Sequence, residues 1–294
     1  MVRMRMGGIS GRIGWLVGIL MISTVSAAHA TDLGSDTAAF VLLSTGGKVI
    51  LGKDSQAGLG GNGGDLGMVG GTAAILDKDA QAVNEVVTEP HGITLHKNAE
   101  TFGCITDHAQ IKRAAGARCM SLFDNGGQRP ELTTMKNALG EAALFASVAN
   151  AQQPAQMLST IVVSRNGFQT IFNSQTGLNV IATPSVNLKK NAELEISGQS
   201  GDTDLLLVQG DLKWGADASL LFSGITDIDL VIVVSGKLVS IGRNSRLPAT
   251  IVAPNATCEV GAGAQVFGEM VCGKNISLGD HALVLYAPTA VTIP

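Results

Sequence analysis

The chain has 294 residues, of which 45% are hydrophobic and only 4% aromatic, with a formal net charge of −4. A core must therefore be built from Val, Ile, Leu and Ala, and the acidic balance argues against a nucleic-acid partner, which rewards a basic face. Collagen is excluded, because the 37 glycines follow no Gly-X-Y period.

Residues 1–30 read as a secretory signal. Arg3, Arg5 and Arg12 form the positive region, residues 13–25 the apolar run, and Ala28-His29-Ala30 a small-residue cleavage site. The run is short for a bilayer span. No later segment is long and apolar enough, so no stable membrane span is expected after cleavage. Removing this segment takes away three arginines and no acid, which moves the net charge from −4 to −7. Residues 31–294 are expected to form a single domain.

From residue 40 onward a short pattern recurs: an apolar anchor, three mostly polar or turn-forming residues, then Ala or Ser. The copies are Leu51…Ser55, Leu76…Ala80, Leu95…Ala99, Ile111…Ala115, Leu188…Ala192, Trp214…Ala218, Ile241…Ser245, Val260…Ala264 and Leu278…Ala282. A second apolar residue often precedes the anchor by two, as in Val49, Ile93, Val186, Val239 and Ile276. That alternation is the period of a strand. The anchors are 25, 19 and 16 residues apart in a first block and 26, 27, 19 and 18 apart in a second. The short intervals suit one compact coil and the long ones a coil carrying a loop, such as residues 58–71 or 198–204. One coil cannot bury its inward face alone, so the repetition implies a stack.

Between the blocks, Asp124-Asn125-Gly126-Gly127 reads as a turn and Pro130 as the first turn of a helix. Leu132, Met135, Leu139, Ala142, Ala143 and Ala146 then recur at helical spacing. The expected helix covers residues 131–149 and packs along one wall of the stack. After it, Ile161-Val162-Val163, Ile171-Phe172 and Val180-Ile181 read as strands. Residues 205–208 and 230–234 are continuous apolar runs, which suit strands covered on both faces. The second is placed under the helix. The fold class is therefore all-β: a parallel β-solenoid with one flanking α-helix inserted between two solenoid blocks. It is expected to be right-handed, from the usual chirality of parallel crossovers.

Cys104, Cys119, Cys258 and Cys272 all lie in the exported part, where an even count points to disulfides. Cys104–Cys119 and Cys258–Cys272 are the expected pairs, each separated by close to one coil. No C-x-x-C pair favours zinc. The most clustered acids, Asp202 with Asp204 and Asp227 with Asp229, sit among loop residues and read as solvated. His91, His96, His108 and His281 form no H-E-x-x-H or i, i+4 pair. The glycine run 58–71 lacks the G-K-[ST] ending of a phosphate loop. Trp214 occupies an anchor position and reads as core. No cofactor, metal or catalytic residue is expected.

The segment 247–256, Leu-Pro-Ala-Thr-Ile-Val-Ala-Pro-Asn-Ala, resembles the "G-(S/T)-I-L-A-P-N-A" stretch of bacterial choice-of-anchor A domains, often labelled collagen-binding-like. Residues 260–264 and 266–271 resemble its continuation. Ice-binding-type β-solenoids share a similar stretch and a helix beside the solenoid. The resemblance covers roughly residues 160–287 well and 40–124 loosely. It implies an exported β-solenoid of secreted or cell-surface type. The last residues carry no sorting motif, so covalent anchoring is not expected.

The expected role is non-catalytic: a structural or adhesive module holding a matrix protein, a glycan or another copy of itself. Ice binding is the alternative and a polysaccharide-active enzyme the second. Two outward rows bear on ice. The residues before the anchors are Ile50, Ile75, Thr94, Gln110, Asn187, Lys213, Ser240, Glu259 and Ser277. Those after the Ala or Ser are Gln56, Gln81, Glu100, Gly116, Glu193, Ser219, Arg246, Gln265 and Leu283. Both rows are irregular and partly charged, so neither is expected to be an ice face, and the sequence leaves the third wall unread.

Overall fold

A computed structural model describes residues 32–59, 64–71, 73–123, 130–225, 230–287, 291 and 293. The signal segment, the 124–127 turn, Asp227 and Asp229 lie outside the described residues.

The chain coils into a stack of parallel strands with three walls. Among the described residues one wall holds ten short strands, including Val49–Leu51, Ile93–Leu95, Val186–Leu188 and Ile276–Leu278. The other two walls share an 18-stranded sheet. In the short strands the first and third residues point inward and the middle one outward, as in Val186-Asn187-Leu188. Leu51, Leu76, Leu95, Leu188, Trp214, Ile241, Val260 and Leu278 all belong to one continuous core. Each such aliphatic side chain contributes roughly 1.5–3 kcal/mol on burial.

The corner after each anchor has a common backbone. The third residue past it adopts a positive φ: Asp54, Asp79, Asn98, Asn166, Asn191, Asp217, Asn244 and His281, with Gly116 and Gly263 in the two remaining coils. Asn and Asp tolerate this left-handed conformation better than other side-chain-bearing residues. They also bond to one another along the stack. The Asn98 amide donates to Asp79 at 2.9 Å, Asn191 to Asn166 at 2.8 Å and Asn244 to Asp217 at 3.2 Å. The next residue is small because it turns into the interior, where Ala80, Ala99, Ala192 and Ala282 are fully buried.

Two placements differ from the sequence pattern. Ile111 pairs with Ile93, two positions before the anchor register, and Arg113 pairs with Leu95. This coil ends the stack, so no further coil covers its anchor and an exposed arginine is tolerated there. Val163…Gly167 forms a tenth corner that the Ala/Ser rule missed, with Asn166 in the left-handed position.

The coils are not stacked in chain order. Along the short-strand wall the sequence runs from Ile161–Val163 through Ile276–Leu278 and then continues into Val49–Leu51, ending at Ile111–Arg113. Val49, Ile50 and Leu51 pair with Ile276, Ser277 and Leu278. The first block therefore docks on the last coil of the second. Helix α1, Pro130–Ala151, carries the chain from one end of the stack back to the other. Its 22 residues span about 33 Å, against about 43 Å for ten strands.

α1 buries Leu132, Met135, Ala138 and Ala142 against Phe40, Leu43, Val87, Ile105 and Val271. Further along it buries Phe145, Ala146 and Ala149 against Val180, Leu205, Leu207, Val231, Val233 and Val252. Strand Leu230–Val234 is accordingly buried on both faces.

Replacing Asn191 with Val is expected to destabilise the fold by about 1–2 kcal/mol, through left-handed strain and the lost bond to Asn166. Leu188→Ala should cost about 2–5 kcal/mol, and Lys213→Ala, on an exposed side chain, close to nothing. Urea denaturation of the three variants checks this order.

Candidate functional site on the open wall

Of the three walls, one lies under α1 and cannot meet a large ligand. The short-strand wall offers one outward residue per coil: Val162, Asn187, Lys213, Ser240, Glu259, Ser277, Ile50, Ile75, Thr94 and Lys112, in stacking order. This is the first row read from the sequence, with Lys112 in place of Gln110 and with Val162 added opposite Asn187. Lys213 and Lys112 stand exposed, and Lys213 pairs with Asp211 at 3.7 Å.

The third wall is uncovered and broader. Its strands include Phe168–Phe172, Glu193–Ser197, Ser219–Ser223, Gln265–Phe267 and Leu283–Leu285. The stack then continues into Gln56–Leu59 and the first parts of Gln81–Glu89, Glu100–Thr106 and Arg118–Phe123. One outward column is the second row read from the sequence, with Arg118 in place of Gly116 and with Phe168 added opposite Glu193. A second column, two residues further on, escaped that reading. It contains Thr170, Glu195, Leu221, Phe267, Leu285, Val83, Phe102 and Met120. Register fixes part of it, with Thr170 opposite Glu195, Glu195 opposite Leu221, and Phe267 opposite Leu285; it shifts between Val284 and Leu285 and again beside Val83, between Ala82 and Glu85. The column lies seven residues past eight of the ten corner positions, counting Val163 and Arg113, and that offset was the available signal.

The column places apolar side chains in water. Val83 is 39% exposed, Leu221 39%, Phe102 53% and Met120 71%. Val83, Phe102 and Met120 line one shallow depression with Gln81 and Glu100. Polar neighbours are held to one another. Gln56 donates to Gln81 at 3.1 Å and the Thr170 hydroxyl to Glu195 at 2.9 Å. Charges are locally engaged too: Arg118 lies 3.7 Å from Glu100, and the Arg246 guanidinium sits 4.7 Å from the Phe267 ring centroid.

The four cysteines form Cys104–Cys119 and Cys258–Cys272 bonds. Each crosses the interior between two walls. Trp214 is buried, and its indole N–H has no hydrogen-bond partner.

The acids depart from the solvated loop expected of them. Asp202 is 3% exposed and Asp204 fully buried. The Asp202 carboxylate accepts N–H bonds from Gln199 at 2.8 Å and Gly177 at 2.9 Å, and one from the Asn173 amide at 3.3 Å. The Gln199 bond, then those from Gly177 and Asn173, hold its carboxyl below the usual range against the opposing effect of burial. It ties two coils together rather than facing a substrate. His96, His108 and His281 sit beside Asp77, Asp107 and Asp54 at 3.5–3.9 Å. Among the described residues no group of three metal-ligating side chains converges, and no helix is long and apolar enough to cross a membrane.

Comparison with solved structures bears on this architecture. An ice-binding protein from the Antarctic ascomycete Antarctomyces psychrotrophicus matches with a TM-score of 0.53 at 14% identity, over 88% of this chain and 99% of that one. The ice-binding protein of an Arctic yeast matches with a TM-score of 0.52 at 13% identity, over 90% and 96%. One from an Antarctic biological consortium matches with a TM-score of 0.53 at 11% identity, over 87% and 91%. The chain shares the β-solenoid fold of these proteins. No protein-family model matches the sequence, and no curated protein matches it significantly.

Two expectations are corrected. The resemblance to choice-of-anchor A domains finds no support. The structural or adhesive role built on it is overturned, because these structural matches are ice-binding proteins. The physical reason lies in where the resemblance sits. Leu247, Ala249, Ile251, Val252 and Ala253 are fully buried, so the segment reports on packing and not on a binding surface.

The bonded cysteines are 15 and 14 residues apart. Closing loops of that length is worth about 3 kcal/mol each. The double variant Cys104→Ala/Cys119→Ala is expected to lose about that much in urea denaturation, and reduction of the wild type to lower its Tm.

Proposed function

We propose that the protein is exported, is not an enzyme, and binds ice through the open wall. The observation that carries this is the uncovered parallel wall itself, with exposed apolar side chains on its strands beside polar ones of which some bond to one another. Ice is a periodic solid, and a ligand of that kind is met by a rigid, flat and periodic surface. Strands spaced about 4.8 Å apart supply the period. Bonds between coils supply the rigidity, so little freedom is lost on contact. Leu221, Val83, Phe102 and Met120 leave neighbouring water without strong partners, while Gln, Ser and Thr hydroxyls and amides anchor it. Exposed charge would hold a competing hydration shell; on this wall Glu100, Glu195, Arg118 and Arg246 are engaged locally, and Glu193 is the exposed charge that stands against the reading.

The short-strand wall suits the role less well. It has a single outward column and exposes Lys112 and Lys213. The fold shared with three ice-binding proteins supports the same reading. Export is supported by the signal-like segment 1–30 and by two disulfides, which persist in oxidising compartments.

Thermal hysteresis and inhibition of ice recrystallisation test the proposal. The wild type is expected to show both. Leu221→Lys and Phe102→Lys should each require roughly tenfold more protein for equal inhibition, about 1.4 kcal/mol of contact. Ser240→Lys on the short-strand wall should leave activity unchanged. A correctly folded wild type that leaves ice growth untouched sinks the reading, and equal losses from all three variants would move the site off this wall.

A further inference from the structure

The docking of the first block on the last coil joins two lengths of chain that are distant in sequence. Leu42, Leu43 and Ser44 pair with Met270, Val271 and Cys272. Irregularities in register flank this junction, between Phe40 and Leu42 and between Val284 and Leu285. Beside it, Glu269 is 1% exposed. Neither of its carboxyl oxygens has a hydrogen-bond partner. Its backbone is fixed: its N–H donates to the Thr250 hydroxyl at 3.3 Å, and its carbonyl accepts the Ile251 N–H at 2.8 Å.

The groups around it offer no counter-charge. Tyr286, which follows strand Leu283–Leu285, donates its hydroxyl to the Ala38 carbonyl. Burial, then Glu269 and Asp65, oppose its ionisation. Asp65 opens strand Asp65–Val69, accepts the Glu85 N–H at 3.2 Å and faces Glu85 and Glu131. From α1, Glu141 is taken up by the Thr37 N–H at 2.8 Å. Strand Thr250–Ala253 brings only the Thr250 hydroxyl, and strand Phe40–Ser44 brings no titratable side chain. No cation among the described residues offsets Glu269.

We propose that Glu269 is a proton latch on this junction: neutral, it lets the first block seat on the last coil; ionised, it favours opening there while each block stays stacked. The inference is independent of what the open wall binds.

Burial alone pushes the Glu269 carboxyl from its ordinary 4.5 up to about 8. In an opened junction the group would titrate near its ordinary value. The closed state therefore binds the extra proton between those two pH values, and the closed junction weakens as pH rises through that window. Below it both states are protonated, and above it both are ionised, so the effect levels off at each end.

Native-state hydrogen exchange on the full mature chain, corrected for intrinsic rates, tests the latch. Between pH 5.5 and 8, protection of the Leu42–Ser44 and Met270–Cys272 amides should fall by up to roughly tenfold per pH unit. Amides in Glu193–Ser197 and Ser219–Ser223, deep in the second block, should hold steady. Glu269→Gln should flatten the junction profile, and Glu269→Met provides the same test if the amide variant folds poorly. Asp65→Asn should keep the slope. A flat wild-type profile, an equal slope in both regions, or a slope that survives at Glu269 but vanishes in Asp65→Asn would each overturn the proposal.

Discussion

A coil of this protein cannot cover its own inward face, and everything else in the structure answers to that. The anchors are buried only because another coil lies above and below them. Close stacking forces the corner into a left-handed backbone, which favours Asn, Asp and Gly there, with His281 in one coil. It also forces a small residue at the next position, where Ala80, Ala99, Ala192 and Ala282 are fully buried. Where the stack ends, the rule relaxes: Arg113 takes an anchor register and stays exposed. Local choices and global packing agree at each corner, which is what a single well-defined native state requires.

The helix divides the surface. By burying Val231, Val233, Leu205 and Leu207 it removes one wall from contact with anything large. What remains is a narrow wall with exposed lysines and a broad one on which several polar groups, Gln56 with Gln81 and Thr170 with Glu195, are engaged with each other. The functional reading thus comes from geometry and not from reactive groups. Asp202, the acid most suggestive of chemistry, has its oxygens occupied by donors from the coil on one side and from its own turn.

Much of this was legible in the sequence. The anchors, the Ala and Ser after them, the flanking helix and the parallel character of residues 205–208 and 230–234 could all be read from spacing and hydropathy. The helix begins at Pro130 and ends at Ala151, close to the 131–149 expected. Stacking order was not legible, because every coil carries the same grammar and any coil could sit on any other. The register of Ile111 failed for a related reason: Ala115 mimicked the corner residue that Ala117 supplies. The exposed column with Val83, Phe102 and Leu221 was missed because the rows were counted only beside the anchor and the Ala. The burial of Asp202 depends on Asn173 and Gly177, residues 29 and 25 positions away, which local pattern cannot see.

The out-of-order stack sets the sequence of events when the chain is made. The first block emerges well before the coil it rests on, Ile276–Leu278, which is synthesised more than 200 residues later. Until then Val49 and Leu51 present an apolar edge with unpaired backbone groups, the kind of surface that recruits other chains. A nascent chain of this protein therefore carries a sticky end until the coil that covers it has been made.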